Sequence, residues 1–330
     1  MATTDWAPSE PLTLGVEEEL MILDAGTLEL APRVRDFLGQ EGFKTELFAT
    51  MLELNTPVCK TADEAGERLR ELRAAAAEVA AENGLLIAAA GSHPLADPEA
   101  QEIVDEPRYL EFVAYAGVSA RRQVVHGLHV HVGMPDLATC LRVLEGLLPW
   151  LPFVLALSAN SPYLAGRATG HLSTRAEVLG QLPRHGAPPV DWEASVERMV
   201  RLGLASDVNA LWWDARPSPK FGTLEIRIAD QPTELERTVA FVTLLHRLCA
   251  ELLEADPPPA DRALYEEARW AAAHYGPRAR LPHPHEERLV GANELELGIE
   301  PTCEADRQLE IGEREGLLAV CADLVERTVR

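Results

Sequence analysis

Positive charge is scarce in this chain. Only 30 lysines and arginines face 53 aspartates and glutamates, a formal net charge of −23 over 330 residues. That field repels polyanions and anionic bilayers, so neither nucleic acid nor a membrane is expected as a partner. Cysteine is scarce too. Cys59, Cys140, Cys249, Cys303 and Cys321 are odd in number and lack CxxC spacing, which excludes a zinc-site or disulfide-frame pattern. They read as buried thiols of a reducing compartment. No apolar run is expected to be long enough to span a bilayer. The N-terminal MATTDWAPSEPL has no basic region followed by an apolar one, so no signal peptide is visible and a cytoplasmic location is expected. There is no GxxxxGK(S/T) loop and no GxGxxG after a strand, so any nucleotide must be held by another device. Internal repeats and low-complexity tracts are missing as well.

What is present is ordinary soluble material: 47% hydrophobic and 25% charged residues, long enough for one large domain with a substantial core. Leu12–Leu23 alternates with period two and predicts a strand, followed by an Asp24-Ala25-Gly26 turn. Glu46–Asn55 predicts a second strand, stopped by Thr56-Pro57. Thr61 and Glu64 form a capping-box pattern that opens an alanine-rich helix ending at Gly84. Leu85–Ala90 reads as a short buried strand, the region of Tyr109–Arg121 as helix, and Val124–Met134 and Thr223–Asp230 as strands. Helices are expected at Asp136–Leu148, Leu151–Ala159, Asp191–Leu202 and Thr233–Glu254, the last with a second capping box, Thr233 with Glu236. After Asp256-Pro-Pro-Pro259 the chain is mainly helical, so 255–330 is expected as a helical C-terminal part of a single domain spanning 1–330. Strands separated by unequal helical segments predict an α+β fold rather than a doubly wound one.

Several strands carry chemistry on one face. In LGVEEELMIL, residues two apart share a side, so Glu17 and Glu19 point one way while Glu18 points among Leu14, Val16, Leu20 and Ile22. Two carboxylates so close repel unless a cation lies between them, which suggests a hard divalent ion, Mg²⁺ or Mn²⁺, with oxygen ligands. A solvated strand edge is the plainer alternative. His129 and His131 share a face of the next alternating strand, a pattern suited to a ligand or a phosphate contact, with hydrogen-bonded core histidines as the plainer reading. Glu225 and Arg227 share a face of Thr223–Asp230. That pair is either a simple ion pair or a metal ligand beside a phosphate-binding guanidinium. Arg216 follows the Trp212-Trp213 pair, either a surface residue beside a hydrophobic plug or part of a pocket.

Together, GVEEE (15–19), GxHVHVG (127–133), ALSANSP (156–162), TGxxSxR (169–175) and WWDxRPSxxxxTLEIRxAD (212–230) resemble the type 2 glutamate–cysteine ligases. These are also called carboxylate–amine ligases, of the glutamine-synthetase-like superfamily. The resemblance is strongest over 12–254 and finds little to match after Pro282. It implies a funnel-shaped, mainly antiparallel β-sheet with helices on its outer face, whose strand carboxylates bind Mg²⁺ and ATP. Carried over by position, it implies metal ligands at Glu17, Glu19, Glu46, Glu53, His129 and Glu225, with Arg227 on phosphate and as a catalytic group beside Glu225. Arg216 and His131 fall in the nucleotide-binding part, and Arg175 matches an arginine that holds the donor's carboxylate. Strict alternation puts Glu46 and Glu53 on opposite faces, so the resemblance demands a bulge or bend between them. His126 stands where many relatives carry Cys. The implied activity is ATP-dependent amide formation through an acyl phosphate, with L-glutamate as donor and L-cysteine as amine. Asp230 is a candidate general base, and the cysteines stay structural. Alternatives on the same fold are ammonia ligation, guanidino phosphotransfer or a catalytically silent nucleotide-binding homologue. A homo-oligomer pairing at a sheet edge is compatible with the sequence.

Overall fold

The computed structural model describes residues 5–330. Its centre is a seven-stranded sheet in which every pairing is antiparallel. β1 (Leu14–Asp24) is flanked on one side by β3 (Met51–Asn55), beyond which lies β2 (Phe43–Thr45). Met21 of β1 has Met51 as one partner and Ala88 as the other, so β4 (Leu85–Ala88) lies on the opposite side from β3. β5 (Gly127–Gly133) pairs with the first half of β1, and β9 (Thr223–Asp230) and β8 (Ala215–Ser218) complete the path β2-β3-β1-β5-β9-β8. Two small ribbons, β6 with β7 (Tyr163–Leu164, Arg167–Ala168) and β10 with β11 (Arg280–Pro282, Leu289–Gly291), lie outside the sheet.

One face of the sheet is apolar because the strands alternate. Leu14 and Val16, Leu128, Val130 and Val132, and Leu224, Ile226 and Ile228 pack with Leu69, Val143, Phe153 and Phe241 in one cluster. The covering helices are α1 (Ala62–Glu82), α4 (Leu137–Leu147), α5 (Leu151–Ser158) and α8 (Leu235–Leu253). Each such buried side chain contributes about 1.5–3 kcal/mol, so this face holds the fold together. The remaining helices are α2 (Pro107–Ala116), α3 (Val118–Arg121), α6 (Thr174–Leu179), α7 (Trp192–Arg201), α9 (Arg262–Tyr275), α10 (Glu304–Glu315) and α11 (Leu317–Thr328).

α2 touches both ends of the strand path. Its Tyr109 hydroxyl donates to the Thr45 carbonyl at 2.9 Å, at one edge, while Phe112 packs on Trp212 at 4.8 Å, just ahead of the other edge strand.

The structure departs from the sequence reading at four places. Glu46–Asn55 is not one strand: the chain reverses between β2 and β3, and Phe48, wholly buried, is folded inward. That reversal supplies the bend between Glu46 and Glu53. The helix expected over Tyr109–Arg121 is split at Gly117, whose φ of 58° interrupts it. The Thr233–Glu236 capping box does not form; α8 begins after Glu234 without a side-chain cap. Thr233 is wholly buried and its hydroxyl donates instead to the Ala89 carbonyl at 2.8 Å. Finally, Leu137–Ser158 is 22 residues long and apolar enough to cross a membrane by length and composition. Here it is mostly buried in the core, as α4 and α5 joined by a short 3-10 turn with Pro149. Its two charges are paired: Glu145 bonds Arg262 and Arg142 donates to the Leu253 carbonyl at 2.8 Å.

Candidate active site

The sheet's other face gathers the charged residues, and strand register does the gathering. Across β1 and β5 Glu17 lies opposite His129; across β5 and β9 His131 lies opposite Glu225. Across β1 and β3 Glu19 lies opposite Glu53, and across β8 and β9 Arg216 lies opposite Glu225. Antiparallel neighbours on one face have Cβ atoms about 5 Å apart, within reach of a shared ion. Two groups result. Glu17, His129 and Glu225 have ligand atoms all within 4.8 Å of one another, and so do Glu19, Glu46 and Glu53. All six residues singled out in the sequence as metal ligands fall into these two groups.

The electrostatics differ between them. Burial pushes Glu17 up, but hydrogen bonds from His129 and His131 outweigh it and hold the carboxyl well below the ordinary range. Nδ1 of His129 is 3.3 Å and Nε2 of His131 3.5 Å from Glu17. Burial also pushes Glu225 up, yet Arg216 and Arg227 dominate and keep it ionised. Arg216 Nε donates to Glu225 at 2.8 Å, and Arg227 Nη1 bonds the same carboxylate. The second group has too little positive charge. Burial first, then Glu19, raises Glu46; burial first, then Glu46 and Glu17, raises Glu53 well above its usual value. Lys44 Nζ, 3.8 Å from Glu53, is a direct but exposed counter-charge.

Divalent ions fit this donor set. The oxygens are hard ligands, and the crowding of Glu19, Glu46 and Glu53 is of the kind a cation relieves. Nε2 of His129, buried and without a hydrogen-bond partner, lies 3.8 Å from Glu19. That imidazole thus stands between the two groups.

The other candidates are placed as follows. Arg227 and Arg216 border Glu225, and Arg227 is partly exposed. His131 Nδ1 is 2.8 Å from the Thr223 hydroxyl and its ring meets Phe221 edge-on. Arg175 lies beneath the site, 3% exposed, with its terminal nitrogens on the Arg227 and Ile228 carbonyls. Asp230 is wholly buried, its carboxylate accepting from Ser161, Ser173 and the Asn160 N–H. That excludes the general-base role: no oxygen faces a substrate. His126 is also wholly buried; burial, His93 and Arg175 drive its pKa down to about 3, so the ring is neutral. A cleft of about 810 Å³ opens beside Glu17 and His131, lined also by Gly15, Lys44, Thr56 and Phe221.

Some partnerships that shape the site gave no sequence signal. Glu18 is buried with Arg73 of α1, its carboxylate also receiving Gln231 and Thr238. Asp214, in the WWD stretch, receives Tyr265 and Arg269 of α9 at 2.7 and 2.6 Å, while its carbonyl accepts the Arg227 N–H. In the tail, α10 and α11 reach the back of the site through Gln308 to Asn160 and Arg73 to the Thr328 carbonyl.

A sequence model of the family described as glutamate–cysteine ligase family 2 matches residues 13–328 of this chain. The chain belongs to that family. A relative from Rubrobacter xylanophilus, named "Putative glutamate--cysteine ligase 2-3", is 36% identical, with 98% of this chain and 99% of the relative covered. Another, from Herpetosiphon aurantiacus and named "Putative glutamate--cysteine ligase 2", is 34% identical over 83% of this chain and 75% of its own. Among solved structures, a glutamate–cysteine ligase from Francisella tularensis in complex with AMP superimposes with a TM-score of 0.68 at 14% identity, covering 98% of this chain and 89% of that one. A bifunctional glutathione synthetase from Pasteurella multocida gives 0.67 at 16% identity, covering 97% and 51%. At those identities the likeness concerns the fold, and it agrees with the antiparallel sheet and outer helices described above. Membership of glutamate–cysteine ligase family 2 accounts for the order of the five motifs, of which GVEEE, GxHVHVG and the TLEIRxAD end of the last lie on strands of the sheet.

Proposed function

We propose that this member of glutamate–cysteine ligase family 2 is an ATP-dependent carboxylate–amine ligase, with L-glutamate as donor and L-cysteine as amine. The observation that carries the reading is the pair of three-membered ligand groups on one sheet face, bordered by Arg216 and Arg227. A carboxylate is a poor acyl donor because oxide is a poor leaving group. ATP removes that obstacle by phosphorylating the carboxylate, and a neutral amine then displaces phosphate to give the amide. Phosphoryl transfer needs charge neutralisation and alignment more than covalent help from the protein.

In this reading Glu17, His129 and Glu225 hold one divalent ion and Glu19, Glu46 and Glu53 another. Mg²⁺, or Mn²⁺ in its place, supplies neutralisation of the phosphate oxygens when bound. Arg227 stabilises charge on the transferring phosphoryl group, and Arg216 and His131 border the nucleotide. No enzyme nucleophile is required. Cys140 and Cys249 are wholly buried, and burial raises the Cys249 thiol to about 12.

The test is a screen for ADP release over pairs of carboxylate donors and amines, with mass spectrometry of the products. Stoichiometric ADP and γ-glutamylcysteine support the assignment. An amide formed from ammonia, or a phosphorylated guanidino compound, would replace it with a different reaction on this fold. Tight nucleotide binding without turnover on any pair would leave a silent homologue.

A further inference from the structure

β9 contains an irregularity beside the site. Leu128 pairs with Ala229, whereas Val130 pairs with Ile226, so β9 has one residue more than β5 between those pairs. Arg227 lies inside this bulge. Bulges leave ladder groups unpaired and re-aim side chains, so something must satisfy and fix them. Arg175 does the first: Nη2 donates to the Arg227 carbonyl at 2.9 Å and Nη1 to the Ile228 carbonyl at 3.2 Å. Gly127 leaves the necessary room, since a Cβ there would stand 2.6 Å from the Arg175 Cζ.

Arg175 is itself held from the end of the same strand. Asp230 receives the Ser161 hydroxyl at 2.6 Å, the Ser173 hydroxyl at 2.7 Å and the Asn160 N–H at 2.9 Å. Ser161 Oγ in turn accepts the backbone N–H of Arg175 at 3.1 Å, and Ser173 caps α6, the short helix that carries Arg175, by accepting the Ala176 N–H. The loop between α5 and α6 is thus tied to the last residue of β9, and its arginine returns to the bulge. The circuit is closed and buried.

We propose that Arg175 and Asp230 are positioning residues, which lock the β9 bulge and so aim Arg227 at the site. The role of Arg227 rests on the ligase reading above. Because Arg175 spends its fork on backbone carbonyls, its effect on the reaction passes through Arg227 rather than through the donor's carboxylate. Misplacing a reacting group by about 1 Å costs up to about 100-fold in rate.

Full-length Arg175→Lys and Ser173→Ala are compared with wild type in two assays. One is steady-state kinetics with the donor varied; the other is hydrogen exchange of peptides covering 223–231. Arg175→Lys keeps the charge and loses the fork; Ser173→Ala removes one of the donors to Asp230 and is the milder change. For Arg175→Lys, kcat is expected to fall about 10- to 100-fold, with the donor KM moving less than about threefold and faster exchange in β9. Ser173→Ala is expected to move the same quantities in the same direction, by less. A donor KM raised tenfold or more, with kcat and β9 exchange unchanged, would overturn the proposal in favour of direct carboxylate contact. If wild type forms no amide with any donor, the ligase reading fails while exchange still decides the bulge: unchanged β9 exchange in both variants refutes the lock.

Discussion

Glu17→Gln and Glu18→Gln, adjacent and chemically identical substitutions, are expected to behave in opposite ways. Glu18 is 0% exposed and accepts two bonds from Arg73, at 2.8 and 2.7 Å, one from Gln231 at 2.9 Å and one from Thr238 at 2.8 Å. A glutamine keeps the shape but turns one acceptor into an NH₂ donor facing other donors. It also leaves the Arg73 guanidinium, 4% exposed, without its counter-charge. Breaking one side of a buried pair costs about 3–5 kcal/mol. An unfolding entropy of about 2.1 cal/mol/K per residue amounts to about 0.7 kcal/mol/K for this chain, so Tm should fall by about 4–7 °C. Arg73 also donates to the carbonyls of Thr233 and Thr328, so the α11 terminus should loosen with it. Glu17→Gln removes a carboxylate that His129 and His131 hold ionised, so it should cost some stability, though less than the loss of the Glu18 pair, while disabling turnover. Thermal and urea unfolding by circular dichroism, with ADP release measured in parallel, separate the two. Because Glu18 and Arg73 act as one unit, Glu18→Gln with Arg73→Met should cost less than the two single changes added together. A Glu18→Gln variant as stable as Glu17→Gln would refute the argument.

The remaining predictions concern the polar face. Adding Mg²⁺ without nucleotide should raise the Tm of wild type and raise that of Glu53→Gln much less, as read by a thermal-shift titration. In chelator-treated protein, Glu46 and Glu53 have folded pKa values above the ordinary 4.5, so their favourable contribution is complete below that pH. It is lost as pH rises through the raised values. Stability should therefore decline with pH in that window, and Glu53→Gln should flatten the slope; an unchanged slope contradicts the crowding. Arg227→Met should lower kcat about 100- to 1,000-fold in protein that still folds, and wild-type turnover would remove Arg227 from the chemistry. Gly127→Ala should displace the Arg175 fork and cost about 1–3 kcal/mol through overpacking, visible as a lower urea midpoint; an unchanged midpoint would show that the fork has space to move.

Alternation alone makes much of the site legible in the sequence. Period two separated Glu17 and Glu19 from Glu18, and put His129 with His131 and Glu225 with Arg227, because a strand's side chains have only two directions. The six ligand positions were named from likeness to a family, and the two groups in the structure contain the same six. Glu46 shows the limit of periodicity: it joins Glu53 through a chain reversal around buried Phe48, which no alternation in Glu46–Asn55 expresses. Asp230 shows another limit. It has the residue type of a base, but its three donors come from positions some 57 to 70 residues away in the chain.

What the sequence determined by itself is local and periodic: which residues share a strand face, where α1 starts at its Thr61 cap, and that Glu18 turns away from its neighbours. Tertiary structure decided the partners. Strand register chose Glu53 for Glu19 and His129 for Glu17, and the packing of α1 on β1 brought Arg73 to Glu18, 55 residues away. The physical reason is that side-chain direction follows from backbone geometry over a few residues. A charge's environment is set by whichever distant segments share its burial, and here that difference makes one glutamate of three a core ion pair and the other two a candidate metal face.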